Sequence, residues 1–301
     1  MRGLISQEKA DRLAFPFQKY LPKRFRSDAV LVPVVRLNGA IMASSGPLRQ
    51  SISLASTAGL LEKAFAMKKA PAVAIVINSP GGSPVQSRLV YKRIRDLAAE
   101  KNKKVLVFVE DVAASGGYMI ACAGDEIIAD PSSIVGSIGV VSGGFGFVEL
   151  LGKLGVERRV HTSGTNKATL DPFQPERPED VAHLLDLQAE VHATFIDLVK
   201  QSRGSRLAEH PDLFTGLFWS GKRGLDLGLV DSLGDLRSVL RARYGDKVKP
   251  VLISQPRGLF GRRAPASGVG TGFDAARIGA GAVAELGTLA EERSLWARYD
   301  L

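Results

Sequence analysis

Apolar residues in the first half of the chain fall in short unbroken runs, separated by stretches where they recur at helical spacing. "AVAIVIN" (72–78) is continuous, the pattern of a strand buried on both faces, and it ends in Ser79-Pro80-Gly81-Gly82. Residues 84–100 then place Val85, Leu89, Val90, Ile94 and Leu97 on one helical face. "VLVFVE" (105–110) is a second buried strand and "EIIAD" (126–130) a third. Strand, helix, strand, helix, strand predicts an α/β fold, a largely parallel sheet with helices flanking it. Upstream, "VLVPVVRLNGAIM" (30–42) reads as a pair of strands turned at Asn38-Gly39, followed by a helix across about 53–69.

The second half is less regular. Residues 181–199 predict an amphipathic helix with Val181, Leu184, Leu185, Val191, Phe195 and Leu198 facing inward. "FTGLFWSGKRGLDLGLVDSLGDL" (214–236) runs through helix and turn signals toward "VKPVLI". From Gln255 to about Gly272 the composition shifts to Gly, Pro, Ser and Arg, a linker signature. A last helix is expected over 274–297, carrying Ile278, Val283, Leu286, Leu289 and Trp296. The expected division is an N-terminal arm (1–28), one catalytic domain (29–250), and a linker with a C-terminal amphipathic helix (251–301).

Composition narrows the class. With 301 residues and 45% hydrophobic content the chain can bury a sizeable core, which excludes a disordered protein. One cysteine, Cys122, excludes an internal disulfide framework and gives no metal cluster; it reads as a small core residue. Forty Lys/Arg against 31 Asp/Glu leave a net charge of +9, much of it in residues 1–27. There Arg2, Lys9, Arg12, Lys19, Lys23, Arg24 and Arg26 interleave with Phe15, Phe17, Tyr20, Leu21 and Phe25. Such a mixture suits an anionic membrane surface, and equally a solvated arm packing its aromatics on the body. No nucleic-acid motif accompanies the charge. The longest early apolar run, "AVLVPVV" (29–35), is too short to span a bilayer and lacks a signal-peptide layout. The expected location is the cytoplasm, with the arm available for peripheral contact at the inner face of the membrane.

"DVAASGGYMIACAGDEI" (111–127) carries the first chemical question. A serine and two glycines directly after a buried strand suit a tight turn into a buried helix, and they equally suit a nucleophile at the carboxyl end of a sheet strand, where ligands gather in such folds. Ser115 needs a base to take its proton. Of the four histidines, His183, His192 and His210 lie on or near the 181–199 helix and its exit and read as polar-face residues; His161, after the strand-like "VERRV", stays a minor candidate. A lysine is the other option, because apolar surroundings disfavour its charged form.

Five segments in order, "INSPGG" (77–82), "DVAASGGYMIACAGDEI" (111–127), "PSSIVGSIGVV" (131–141), "SGTNKATLDPF" (163–173) and "FTGLFWSGKRGLDLGLVDSLG" (214–234), resemble the SppA/SohB signal peptide peptidase family. The resemblance implies a cofactor-free serine peptidase in a fold related to ClpP and crotonase, without a metal. By the matching motifs, Ser115 would be the nucleophile, Lys167 the general base, and Ser137 the serine that orients the lysine. The backbone N–H groups of Gly82 and Gly116 would form the oxyanion hole. Glycine there lets backbone approach a tetrahedral intermediate, and each fixed donor is worth about 3 kcal/mol in the barrier. A helix starting at Ser115 would add its positive end. Lys167 must be neutral to act, so activity should rise with pH. The resemblance further implies peptide substrates, apolar stretches such as remnant signal peptides, and a homo-oligomeric ring in which a neighbouring protomer can supply Lys167. Members of that family commonly begin with a membrane anchor, where this chain has its basic aromatic arm. Two rival readings use the same core: a crotonase-type acyl-CoA enzyme, and a membrane-peripheral scaffold that binds peptides without turnover.

Overall fold

The computed structural model describes residues 29–43, 51–254 and 293–299. The N-terminal arm, the 255–272 linker and residues 274–292 of the expected last helix lie outside them. Strands β1 (Leu31–Asn38), β2 (Ala72–Ser79), β3 (Lys104–Ala114) and β4 (Glu126–Ala129) run parallel, with α1 (Leu54–Phe65) and α2 (Pro84–Lys101) in the first two crossovers. The α/β expectation holds. The buried, β-branched character of β2 follows from its position: seven of its eight residues are buried because strands flank both edges and helices or side chains cover both faces.

The sheet path is β6-β5-β3-β2-β1-β8, with β4 pairing β3 and β7 off that path. Here β5 is Ile134–Gly136, β6 Phe218–Ser220, β7 Ser232–Leu233 and β8 Lys249–Leu252. Among the described residues only the β5–β6 pair is antiparallel. At 11 residues β3 is long enough to pair with β4 through Leu106–Val109 and with β5 through Val112–Ala114 along the same edge. The sheet therefore forks, and the end of β5 is brought beside the end of β3.

An irregularity in β3 sets where it ends. Ile77 pairs with Val109 but Ser79 pairs with Ala113, so one residue of β2 faces three of β3. Asn78 fills the gap with its side chain, accepting from the Val112 N–H at 3.2 Å and donating to Asp111 at 2.6 Å.

One face of the sheet is covered by α1, α2, the short buried α3 (Gly116–Ala121) and the end of α5 (Pro178–Arg203). The other is covered by α7 (Leu236–Tyr244), whose Leu240 is fully buried. Further helices among the described residues are α4 (Val148–Leu154) and α6 (Gly221–Asp226). Helix α1 starts at Ser53, whose side chain and that of Ser56 form a reciprocal capping box, and α2 starts with Ser83 as cap and Pro84 in its first turn.

Three local expectations are corrected. The 30–42 stretch is not a strand pair: beyond Gly39, at φ +105°, the chain does not fold back, and Ile41 bridges in parallel to Ile52 and Gly82. Both edges of β1 are already taken by β2 and β8, which leaves no edge for a hairpin partner. Helix α5 is longer than 181–199, and its inward stripe is seated only at the C-terminal end: Phe195, Leu198 and Val199 are buried, whereas Leu185 is 56% exposed. Periodicity identifies an apolar stripe but not how much of it has anything beneath. Residues 156–160 form no strand and lie exposed.

Candidate active site

The carboxyl ends of β2, β3 and β5 converge. Ser115 follows directly on β3 in an unusual conformation, φ +51° and ψ −121°, a region that costs a non-glycine residue of order 1–3 kcal/mol. Its own N–H donates to the Gly136 carbonyl at 2.8 Å, which fastens the end of β3 to the end of β5. It sits at the N-cap of α3, yet its side chain makes no capping bond. The hydroxyl is thus left for something other than holding the helix. Ser137, one residue past β5, also has a positive φ, +52°, and its N–H donates to Leu217 at 2.8 Å. Two strained serines lie at the ends of two paired strands.

The SPGG turn packs against them. A Cβ built on Gly81 would stand 2.8 Å from the Ser115 Cβ and 3.0 Å from the Gly116 nitrogen. Gly82, at φ +137°, runs beside Ile41: the Ile41 N–H donates to Gly81 at 2.8 Å, the Ser83 N–H to Ile41 at 2.7 Å, and a Cβ on Gly82 would be driven into the Ile41 carbonyl. The pairing skips the Gly82 N–H, and neither it nor the Gly116 N–H donates to a backbone carbonyl outside regular elements among the described residues. We expect Gly82→Ala to lower the melting temperature measurably, because both φ and the close approach to Ile41 forbid a side chain.

Ser115, Ser137, Gly82 and Gly116 are therefore brought together. Lys167 is not joined to them: it is exposed, in the turns of 163–170, and no hydrogen bond among the described residues links it to Ser115 or Ser137. Its segment is braced elsewhere. The Leu170 N–H reaches Asp180 at 3.4 Å, Asp180 is held by Arg177 at 2.6 Å and 2.9 Å, and Arg158 pairs with Asp171 while lying over the Phe173 ring. His161 is exposed, and His183 is exposed on α5. His192 is more than a polar-face residue: it is half-buried and its Nε2 lies 3.0 Å from the Ile138 carbonyl, tying α5 to the residue after Ser137. Since that carbonyl can only accept, Nε2 carries the proton. Nothing in the sequence spacing connects positions 192 and 138. Cys122 is buried, and burial pushes its thiol up to about 12, an unreactive core residue. No cluster of three or more His, Cys, Asp or Glu suited to a metal occurs among the described residues.

Against known families, the model of peptidase family S49 matches residues 98–248, half of the chain and the stretch that holds Ser115, Ser137 and Lys167. The chain belongs to peptidase family S49. Within that family frame, it is 33% identical to the chloroplastic serine protease SPPA of Arabidopsis thaliana over 75% of this chain and 35% of that one. A Synechocystis protein named as a protease is 35% identical, over 65% of this chain and 72% of its own length. A much closer match, 64% identical over 94% of this chain, is a Brucella abortus protein named as the Na(+)/H(+) antiporter NhaA, of which only 39% is covered. That name belongs to a protein more than twice as long as the matched part. No helix among the described residues here is long and apolar enough to cross a membrane. The chain thus spans about two fifths or less of the length of the first of these relatives. Among solved structures, the 1510-N membrane-bound stomatin-specific protease aligns at a TM-score of 0.45 and 14% identity, over 76% of this chain and 99% of that one.

Proposed function

We propose that this S49 chain is a serine endopeptidase with a Ser115/Lys167 dyad, hydrolysing apolar peptide segments such as remnant signal peptides or unfolded and membrane-derived stretches. The observation that carries the reading is Ser115 itself: a strained residue at a strand end, its hydroxyl free of any capping role, packed against the Gly81-Gly82 turn and followed directly by Gly116. In this reading Ser115 Oγ attacks the scissile carbonyl and its proton passes to the neutral Lys167 amine. The oxyanion is held by the Gly82 and Gly116 N–H groups, Lys167 then protonates the leaving amine, and water hydrolyses the acyl-enzyme at Ser115. Ser137 orients the lysine. Neither a metal nor a cofactor enters any of these steps.

Exposure of Lys167 supports a shared site. A lysine base works best where burial disfavours its charge, and the isolated chain does not bury it. The same excursion exposes Val141 (62%), Phe145 (81%) and Leu154 (64%), apolar side chains that a neighbouring protomer would cover. We therefore read the active form as a homo-oligomer in which assembly completes the dyad. The peptidase domain is taken as 29–250, and the basic 1–28 arm as a peripheral contact with the inner face of the membrane from the cytoplasmic side.

A fluorophosphonate tests the nucleophile without presuming a substrate. The expected result is one adduct, on the peptide that contains Ser115, suppressed by prior incubation with an apolar peptide aldehyde. An adduct on another serine, or none under conditions where a known serine peptidase is labelled, removes the assignment and leaves a binding scaffold or an acyl-CoA enzyme.

A further inference from the structure

Helix α5 reaches the turn that follows β5 with one of its side chains. The His192 Nε2 donates to the Ile138 carbonyl at 3.0 Å, and Ile138, fully buried, directly follows Ser137. Ser137 holds φ +52°, a conformation that a non-glycine residue keeps only where its surroundings fix it. Three hydrogen bonds among the described residues bear on it. The Ser137 N–H donates to the Leu217 carbonyl at 2.8 Å, the Gly139 N–H donates to the Ser137 carbonyl at 3.0 Å, and His192 holds the carbonyl of the residue between. Close packing adds to them, since a Cβ on Gly139 would stand 2.9 Å from the Gly216 Cα. Of these three bonds, that of His192 alone comes from a side chain, so a substitution can remove it while the backbone pairing stays. The helix behind it is firmly seated. Phe195 and Val199, on the same face as His192, are buried, and the Ser202 hydroxyl donates to the Cys122 carbonyl at 2.7 Å.

We propose that His192 is a positioning residue of the active site: its Nε2–H fixes the peptide after Ser137, and with it the backbone from which the Ser137 hydroxyl is aimed at Lys167. The proposal rests on the Ser/Lys reading above. Removing the donor leaves the buried Ile138 carbonyl without this partner, a cost the chain can relieve only by turning the peptide toward another. That turn rotates the Ser137 Cα–Cβ bond and carries the hydroxyl off its line to the amine. His192 acts at one remove from the reacting atoms, so its loss should appear in turnover and not in substrate affinity.

Full-length wild type, His192→Phe, His192→Gln, His192→Asn, Ser202→Ala, Ser137→Ala, Ser115→Ala, Lys167→Ala and each His192 variant combined with Ser137→Ala are assayed on one fluorogenic apolar peptide, with melting temperatures. His192→Phe fills the space of the ring without the donor and should lose about 3- to 10-fold in kcat, as for one neutral hydrogen bond, with KM unchanged. Glutamine places an amide N–H where Nε2 stood, so His192→Gln should recover most of that loss. The shorter amide of His192→Asn stops short of Ile138 and should lose as much as His192→Phe, so the two amides decide the point even where the aromatic variant folds poorly. Ser202→Ala loosens the same helix away from Ser137 and should keep its kcat whatever its melting temperature. On the Ser137→Ala background the His192 variants should cost nothing further, because His192 acts through Ser137. Four results would each overturn the role of His192 alone: an unchanged kcat without the donor, an equal loss in His192→Gln, an equal loss in Ser202→Ala, and an equal loss on both backgrounds. Activity surviving in Ser115→Ala or Lys167→Ala, or undiminished in Ser137→Ala, would instead overturn the Ser/Lys reading itself.

Discussion

Ser115→Ala is expected to lower kcat/KM on an apolar peptide by roughly a millionfold, to the residue left by binding and oxyanion donors, as for a removed serine nucleophile. Lys167→Ala should lose on the order of 100- to 10,000-fold or more, the span of a positioned general base. The two losses should not add, since a nucleophile and its base work as one unit. The structure sharpens what else to expect. Ser115 is bonded only through its backbone and its side chain caps nothing, so Ser115→Ala should not melt earlier than wild type. Alanine at φ +51° remains strained, so no large gain is expected either. Lys167, exposed in the single chain, gives a further handle. If a neighbour supplies it, mixing inactive Ser115→Ala with inactive Lys167→Ala protomers should restore part of the activity. Mixed assemblies that stay inactive while exchanging subunits would show that each chain uses its own lysine.

The second large effect concerns stability. Arg203, at the end of α5, has a fully buried side chain whose Nη atoms lie 2.8 Å and 2.9 Å from Asp231, and its Nε donates to Gly228 at 2.9 Å. Asp231 also accepts from the Ile127 N–H at 2.7 Å and from Arg206 at 3.1 Å. This cluster ties α5 to the start of β4 and to the segment entering β7. Asp231→Ala strands a buried guanidinium, and about 3–5 kcal/mol of stability should be lost, read as a shift in the denaturation midpoint. Replacing both partners, Arg203→Met with Asp231→Leu, should cost less than Asp231→Ala alone, because no charge is left unpaired. Burial by itself would raise the Asp231 carboxyl, but hydrogen bonds from Arg203 and Ile127 and the nearby positive charges outweigh it, so the net shift is downward. Its folded value therefore lies below the unfolded one. The contribution is fully present above the ordinary carboxylate range and is lost as pH falls through that range toward the folded value. An acid-denaturation profile should accordingly be less steep across that range in the double variant.

The apolar runs of β2, β3 and β4 and the spacing of α2 were legible because a strand buried on both faces has few alternatives to an unbroken β-branched run. Motif order alone pointed to Ser115, Ser137, Gly82 and Gly116, and their convergence follows from local rules: each ends a parallel strand or opens the next turn. The corrected hairpin at Asn38-Gly39 shows the limit, since a turn signal says that a strand stops, and only the occupied edges of β1 decide that nothing folds back. Leu185 shows it again on α5. The bulge filled by Asn78, the contact of His192 with Ile138 and the Arg203–Asp231 pair join positions 28 to 54 apart in sequence. Such contacts leave no periodicity and no spacing in the chain. The sequence by itself determined which residues could do chemistry and which segments would be buried, because these depend on residue type and short-range pattern. Only the tertiary structure decided which of them meet, because that depends on how strands share edges and on where the sheet forks.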